Sequence, residues 1–167
     1  DWSSDVCSSD LAVTYVRDLV AEKRYLSEAG ARYGLTDALL RARDYAGARK
    51  AYADLAVVLK QHPAVDLLGC RVKLAAGDAD TLTCFRAALQ RYPDYRALTY
   101  DFAETLLQNR QPAEALKIVE PRIGASTADP RLYQFQSRAY AMLNKRLAHH
   151  RAQAELQPSI CVVQCCK

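Results

Sequence analysis

Paired amphipathic segments, in which small and large apolar residues alternate, return along this chain at a nearly fixed interval. Prolines at 63, 93 and 130 mark the interval, spaced 30 and 37 residues apart. A repeat of this length is one supersecondary unit that cannot bury its own apolar face. Neighbouring units must stack to cover it, so stability resides in the interfaces between them.

The pairs can be followed residue by residue. Val13, Val16, Leu19 and Val20 fall at three- and four-residue spacing, which predicts an amphipathic helix over 12–23. This helix reads as the second half of a unit whose first half is missing. Unit one runs from Ser27 to Pro63: Tyr33, Leu35, Ala38 and Leu39, a turn at Asp44-Tyr45, then Ala48, Tyr52 and Leu55. Unit two, Ala64 to Pro93, places Leu68, Gly69 and Val72 before a Gly77-Asp78 turn, and Phe85 and Ala88 after it. Unit three, Asp94 to Pro130, holds Phe102, Ala103, Leu106 and Leu107, then the run Gln111-Pro112-Ala113-Glu114-Ala115-Leu116. Unit four starts at Arg131 with Leu132, Phe135, Ala139, Tyr140 and Leu143, turns at Asn144-Lys145 and continues to Leu156. These patterns resemble the tetratricopeptide repeat, two antiparallel helices in about 34 residues. The expected fold is therefore all-α: a tetratricopeptide-type α-solenoid of antiparallel helix hairpins, wound as a right-handed superhelix. A closed helical bundle is the competing arrangement.

Several local expectations follow. Each proline should close the second helix of a unit, because it donates no backbone hydrogen bond. Pro121 should end or kink its helix early. His149, at a position that is usually Ala, should splay the last hairpin. His62 should sit at a solvated helix end.

The two ends do not fit the pattern. Residues 1–11, DWSSDVCSSDL, show no period and resemble a translated sequencing adapter, so they are expected to be disordered and foreign to the fold. The repeat domain is then 12–157. Residues 158–167 carry Cys161, Cys165 and Cys166 at a spacing unlike paired zinc knuckles, and read as an aberrant or frameshifted tail. Cys70 and Cys84 fall near the middles of successive antiparallel helices and could face one another. Two separate buried thiols are expected, with a disulfide the alternative in an oxidising compartment.

Composition excludes several function classes. Hydrophobic residues make up 50% of the chain, so disorder is not expected, yet no apolar run approaches a membrane span of about 18 residues. The net charge is +4, and +7 without the three acids of residues 1–11. The basic residues are interleaved with acids rather than gathered in a stripe, which argues against nucleic acid. The three histidines, His62, His149 and His150, do not stand four apart on a helix, so no H-E-x-x-H zinc site exists. No glycine-rich phosphate loop and no nucleophile elbow occurs. No catalytic, cofactor or metal residue is assigned, and no enzyme activity is expected of this chain.

What remains is a surface. First helices of such repeats line a groove, here carrying Tyr33, Asp37, Arg41, Asp66, Lys73, Tyr100, Glu104, Gln108 and Arg138. Tyr and Arg are common interface anchors, and acids among them suit an extended peptide or unfolded protein client.

The stretches AVTYVRDLVAEKRY, EAGARYGLTDALLRARDYAGARKAY, YDFAETLLQNRQPAEAL and RLYQFQSRAYAMLNKRLAHHRAQAE together resemble the C-terminal repeat region of BepA-type zinc metallopeptidases. These are β-barrel assembly-enhancing proteases, and the resemblance covers about Ala12 to Leu156. It implies a periplasmic fragment without its protease domain, which would hold the zinc. Its implied partners are that domain, the outer-membrane assembly machinery and unfolded clients. A free-standing repeat adaptor or co-chaperone is the other reading.

Overall fold

A computed structural model of the chain describes residues 2–125 and 129–156. Among those residues every element is a helix: α1 (Trp2–Ala21), α2 (Glu28–Arg41), α3 (Tyr45–Val58), α4 (Pro63–Ala75), α5 (Thr81–Arg91), α6 (Arg96–Gln108), α7 (Pro112–Ala125), α8 (Pro130–Met142) and α9 (Arg146–Leu156). The first helices of the four hairpins start at 28, 63, 96 and 130, which is 35, 33 and 34 residues apart. The fold is an all-α helical repeat of the solenoid class, as the apolar pattern implied. Two compact units divide at Tyr92/Pro93.

The turn inside each hairpin is one device used four times. Arg43, Gly77, Arg110 and Asn144 all lie in the left-handed region, with φ of 61°, 74°, 55° and 56°. After each, the next N–H bonds a carbonyl five residues back, as in Asp44 N to Leu39 O at 2.9 Å and Gln111 N to Leu106 O at 2.9 Å. This is the Schellman closure, which satisfies otherwise orphaned carbonyls at a helix end. Only Gly77 adopts the conformation without a Cβ penalty. The following helix is capped by side chains where they are available: Asp44 Oδ1 accepts from Gly47 N at 2.8 Å.

In the first unit, Leu39, Ala48, Ala51 and Val72 form one buried cluster with Val13 of α1. Leu55, Val65 and Leu68 form a second, against which Tyr33 and Tyr52 pack. Small residues set the approach. A Cβ built on Gly69 would stand 2.4 Å from Tyr52 Cζ, so glycine there makes room for the Tyr52 ring. In the second unit Ala103, Val119 and Leu132 share a cluster flanked by Tyr100, Ile123 and Phe135. Ala103 is fully buried. Ala103→Leu should overpack this crossing and cost about 1–3 kcal/mol. The check is the urea midpoint, and an unmoved midpoint would show that the side chain escapes the cluster.

Several expectations need correction. Pro63 and Pro130 do not close helices; they open α4 and α8 at the first helical turn. Proline is tolerated there because that N–H has no intrahelical partner anyway. Pro121 neither ends nor shortens α7, which runs on to Ala125. Only the carbonyl of exposed Lys117 loses its partner, and the Arg122 side chain adds a bond to Ile118 O at 2.7 Å. His62 is the N-cap of α4, its Nδ1 accepting from Ala64 N at 3.2 Å. His149 does not splay the last hairpin. Its Nδ1 lies 3.0 Å from Ser137 Oγ, and Ala139 and Ala152 remain buried. The small Ser137 opposite makes space for the ring.

Helix α1 starts at Trp2, so the backbone over 2–11 is helical where disorder was expected. Ser and Asp are acceptable in the first turns of a helix. Cys70 and Cys84 form a disulfide with Cα atoms 5.6 Å apart, rather than two separate thiols. The tail 158–167, with its three cysteines, lies outside the described residues.

Candidate functional site

The first helix of hairpin three and the first helix of hairpin four supply the best-formed part of the expected groove. Tyr100, Glu104 and Gln108 stand four apart on α6, which puts them on one face. Across from them, Arg138 of α8 grips Glu104 with both guanidinium nitrogens, at 2.5 and 3.0 Å. Gln108 Nε2 donates to the same carboxylate at 3.3 Å. Arg138 holds the Glu104 carboxyl below its ordinary value, chiefly through these hydrogen bonds. A bidentate Arg–carboxylate pair is geometrically specific, but Arg138 is half exposed, so this one adds little to stability. It links the two helix faces.

Tyr100 is held at one end of this face. Its hydroxyl donates to Asp129 Oδ2. The Arg131 guanidinium lies 5.3 Å from its ring centroid, and Phe135 stacks at 6.1 Å, tilted by 34°. Burial, then the Asp129 carboxylate, raise the phenol above its usual range. Arg131, Phe135 and Arg138 lie on one face of α8, because residues three, four and seven apart coincide on a helix. Asp129, Arg131 and Phe135 were not among the expected groove residues. Phe135 had been assigned to packing, and the spacing to Arg138 was the available signal.

The first unit treats its expected residues differently. Asp37 and Arg41 pair on α2 at 2.8 Å. Tyr33 is half-buried against Leu55, Val65 and Leu68. Asp66 turns towards the end of α5, where its Oδ2 is 2.7 Å from Arg91 Nη1. That contact is an ion pair without hydrogen-bond alignment, since the same oxygen has no hydrogen-bond partner. Lys73 donates to Asp80 at 2.5 Å and holds that carboxyl below its ordinary value. Among the described residues no ion pair joins the α2 pair to Asp66 or Lys73.

The repeat length, the shared turns and the buried small residues agree with a known family. Its model, the tetratricopeptide repeat, matches residues 73–139, from the end of α4 into α8. That segment is similar to tetratricopeptide repeats. No curated protein and no solved structure matches it. Tetratricopeptide repeats point to a protein–protein interaction scaffold and to protein partners. Among the described residues, no helix is long and apolar enough to cross a membrane. Nor, among them, could any group of three or more His, Cys, Asp and Glu side chains hold a metal ion. The matched segment contains Tyr100, Glu104, Gln108 and Arg138, so the best-formed face lies on the repeats that the family model recognises.

Proposed function

We propose that the α6/α8 face recognises extended or unfolded polypeptide, and that this chain is the repeat portion of a periplasmic metalloprotease of the BepA type. Its role there would be client recognition during outer-membrane β-barrel assembly and quality control. The observation that carries the recognition reading is the arrangement of Tyr100, Arg131, Phe135, Glu104 and Arg138 on two adjoining first helices. Aromatic and arginine side chains are the usual anchors of binding energy. A fixed Glu104–Arg138 pair offers a donor and an acceptor to a passing backbone.

The compartment reading draws support from the Cys70–Cys84 disulfide, since disulfides persist in oxidising compartments. The protease association rests on the four resembling sequence stretches. Zinc belongs, on that reading, to the separate protease domain. Sequencing the parent locus tests it: an in-frame H-E-x-x-H upstream supports the protease, and an independent start codon beside Ala12 supports the free-standing adaptor.

Binding itself has a direct test. Tyr100→Ala and Arg138→Ala should each weaken capture of an unfolded β-barrel polypeptide, by about tenfold if each is an anchor of roughly 1.4 kcal/mol. Circular dichroism confirms that the fold is kept. Capture that survives both substitutions would remove this face from consideration.

A further inference from the structure

Helix α8 presents two polar faces, and the recognition reading uses only one of them. Arg131, Phe135 and Arg138 lie on that face. Tyr133, Gln136 and Tyr140 lie on the opposite one, as the turn of an α-helix dictates. They floor a second cavity of about 560 Å³, walled by Ile123 of α7 and by Ala148 and Ala152 of α9. It falls wholly within the second unit. Its volume is inside the range of about 300–1,000 Å³ usual for ligand sites. Helices α7 and α9 each pack on α8 but not on one another, so a trough runs between them. The small Ala148 and Ala152 side chains give it depth. At its rim Leu147 is 89% exposed, a large apolar side chain left in water.

The floor is aromatic and polar rather than aliphatic. Tyr140 donates its hydroxyl to Glu120 at 2.5 Å. Gln136 donates to the same phenol oxygen, and its amide nitrogen carries a second hydrogen. Such donors discriminate between occupants. A helix pairs its own backbone groups and offers no carbonyl to the floor. A polyproline II segment has no internal hydrogen bonds, so its carbonyls remain free. The spacing agrees. Tyr133 and Tyr140 are two helical turns apart, about 10.5 Å along α8. Polyproline II repeats every three residues, about 9.3 Å. Successive turns of such a segment would lay one ring on each tyrosine. Aromatic-lined grooves are a recurring dock for proline-rich chains, because these lose little entropy on binding.

Charge selects the segment and its direction. The Ser137–His149 contact sets the antiparallel register of α8 and α9. Glu155 therefore lies by Tyr133, and Lys145 by Tyr140. Lys145 stands 6.0 Å from the Tyr140 ring centroid, and the Arg151 charge acts on the same phenol. The Tyr140 end thus has two cations against Glu120. The Tyr133 end carries Glu155, which is exposed and has no ion pair among the described residues. A complementary ligand brings a basic side chain to the Tyr133 end.

We propose that the trough between α7 and α9 binds a proline-rich extended segment of a partner protein. One prolyl ring sits on Tyr133 and another on Tyr140, a backbone carbonyl accepts from Gln136, and a flanking Lys or Arg meets Glu155. This is a second interaction surface, on the other face of α8, and it stands independently of the recognition face proposed above.

The test uses the full chain, labelled with 15N, and four acetylated and amidated peptides. The first is arginine followed by six prolines, and the second has glutamate in place of the arginine. The third replaces the prolines with alternating glycine and serine, and the fourth is an amphipathic leucine–lysine helix. The arginine–proline peptide should shift the amide signals of Gln136, Tyr140, Ala148 and Ala152 in a saturable way. The glutamate–proline peptide should bind several-fold more weakly, and the glycine–serine peptide should not bind. Tyr133→Ala should weaken binding about tenfold, as loss of an aromatic anchor does. Ala148→Leu fills the trough with a good helix former, so it should abolish binding while circular dichroism stays unchanged. Glu155→Lys should reverse the order of the two proline peptides. No shift from either proline peptide, equal binding of the glycine–serine peptide, or tighter binding of the helix overturns the proposal. So does an order of the proline peptides that Glu155→Lys leaves unchanged. Tyr100→Ala should not alter proline-peptide binding. Capture of unfolded polypeptide reports the α6/α8 face separately, so either surface can fail while the other stands.

Discussion

Phe85→Ala should lower the stability of the first unit by about 3–5 kcal/mol, the loss expected for emptying a fully buried aromatic site. Phe85 is 0% exposed and sits on α5 one turn before Ala88, which is 2% exposed. The two make a large and small pair on the buried face of α5. Removing the ring loses its transfer free energy and leaves a cavity that rigid helices fill only in part. Domains of this size have about 5–15 kcal/mol in all, so the loss is a large share. With a urea slope of about 2 kcal/mol/M, the unfolding midpoint should fall by roughly 2 M. Arg86→Ala, one residue along on the exposed side, should move stability by no more than about 0.5 kcal/mol. Similar midpoints for the two variants would show that Phe85 is not in the packed interior.

The second large effect is expected from the disulfide. Cys70 and Cys84 are 14 residues apart and join α4 to α5. Cross-linking a loop of about 15 residues removes chain entropy from the unfolded state worth about 3 kcal/mol. Cys70 is fully buried, so the bridge also occupies core volume. Cys70→Ala/Cys84→Ala should therefore unfold at lower urea than the oxidised wild type by roughly 1.5 M, at a slope of about 2 kcal/mol/M. Reductant should shift the wild type towards the double variant and leave the variant itself unmoved. A wild type indifferent to reductant, under conditions that free both thiols, would show that the bridge contributes nothing. Production in a reducing compartment should yield the weaker form, which ties stability to the compartment proposed above.

The hairpins were legible because their apolar residues obey one rule. Ala48, Ala103 and Ala139 were read as small members of the apolar pattern, and all three are 0% exposed. That pattern needs only a 3.6-residue period and side-chain size, both local properties. The turns at Asp44, Gly77 and Asn144 were equally visible, since a break in the apolar period marks them. Proline misled for a physical reason. The residue cannot continue a helix, but it also starts one well, and the chain uses the second property at Pro63 and Pro130.

The candidate site divides in the same way. Tyr100, Glu104 and Gln108 share a face by helical spacing alone. Whether Arg138 meets them, and Asp66 instead meets Arg91, depends on how far each helix slides against its neighbour. No local pattern encodes that offset. His149 shows the same limit, because its size was read without knowing that Ser137 stood opposite.

Sequence by itself determined the helices, the hairpin order and the period, because these follow from backbone geometry and from which side chains avoid water. Tertiary structure decided which polar and sulfur groups are partners. The Cys70–Cys84 bridge, the Glu104–Arg138 pair and the unpartnered Thr99 hydroxyl each depend on contacts a few ångströms across between separate helices. Distances of that order are set by packing of the whole unit, and a chain read one residue at a time does not contain them.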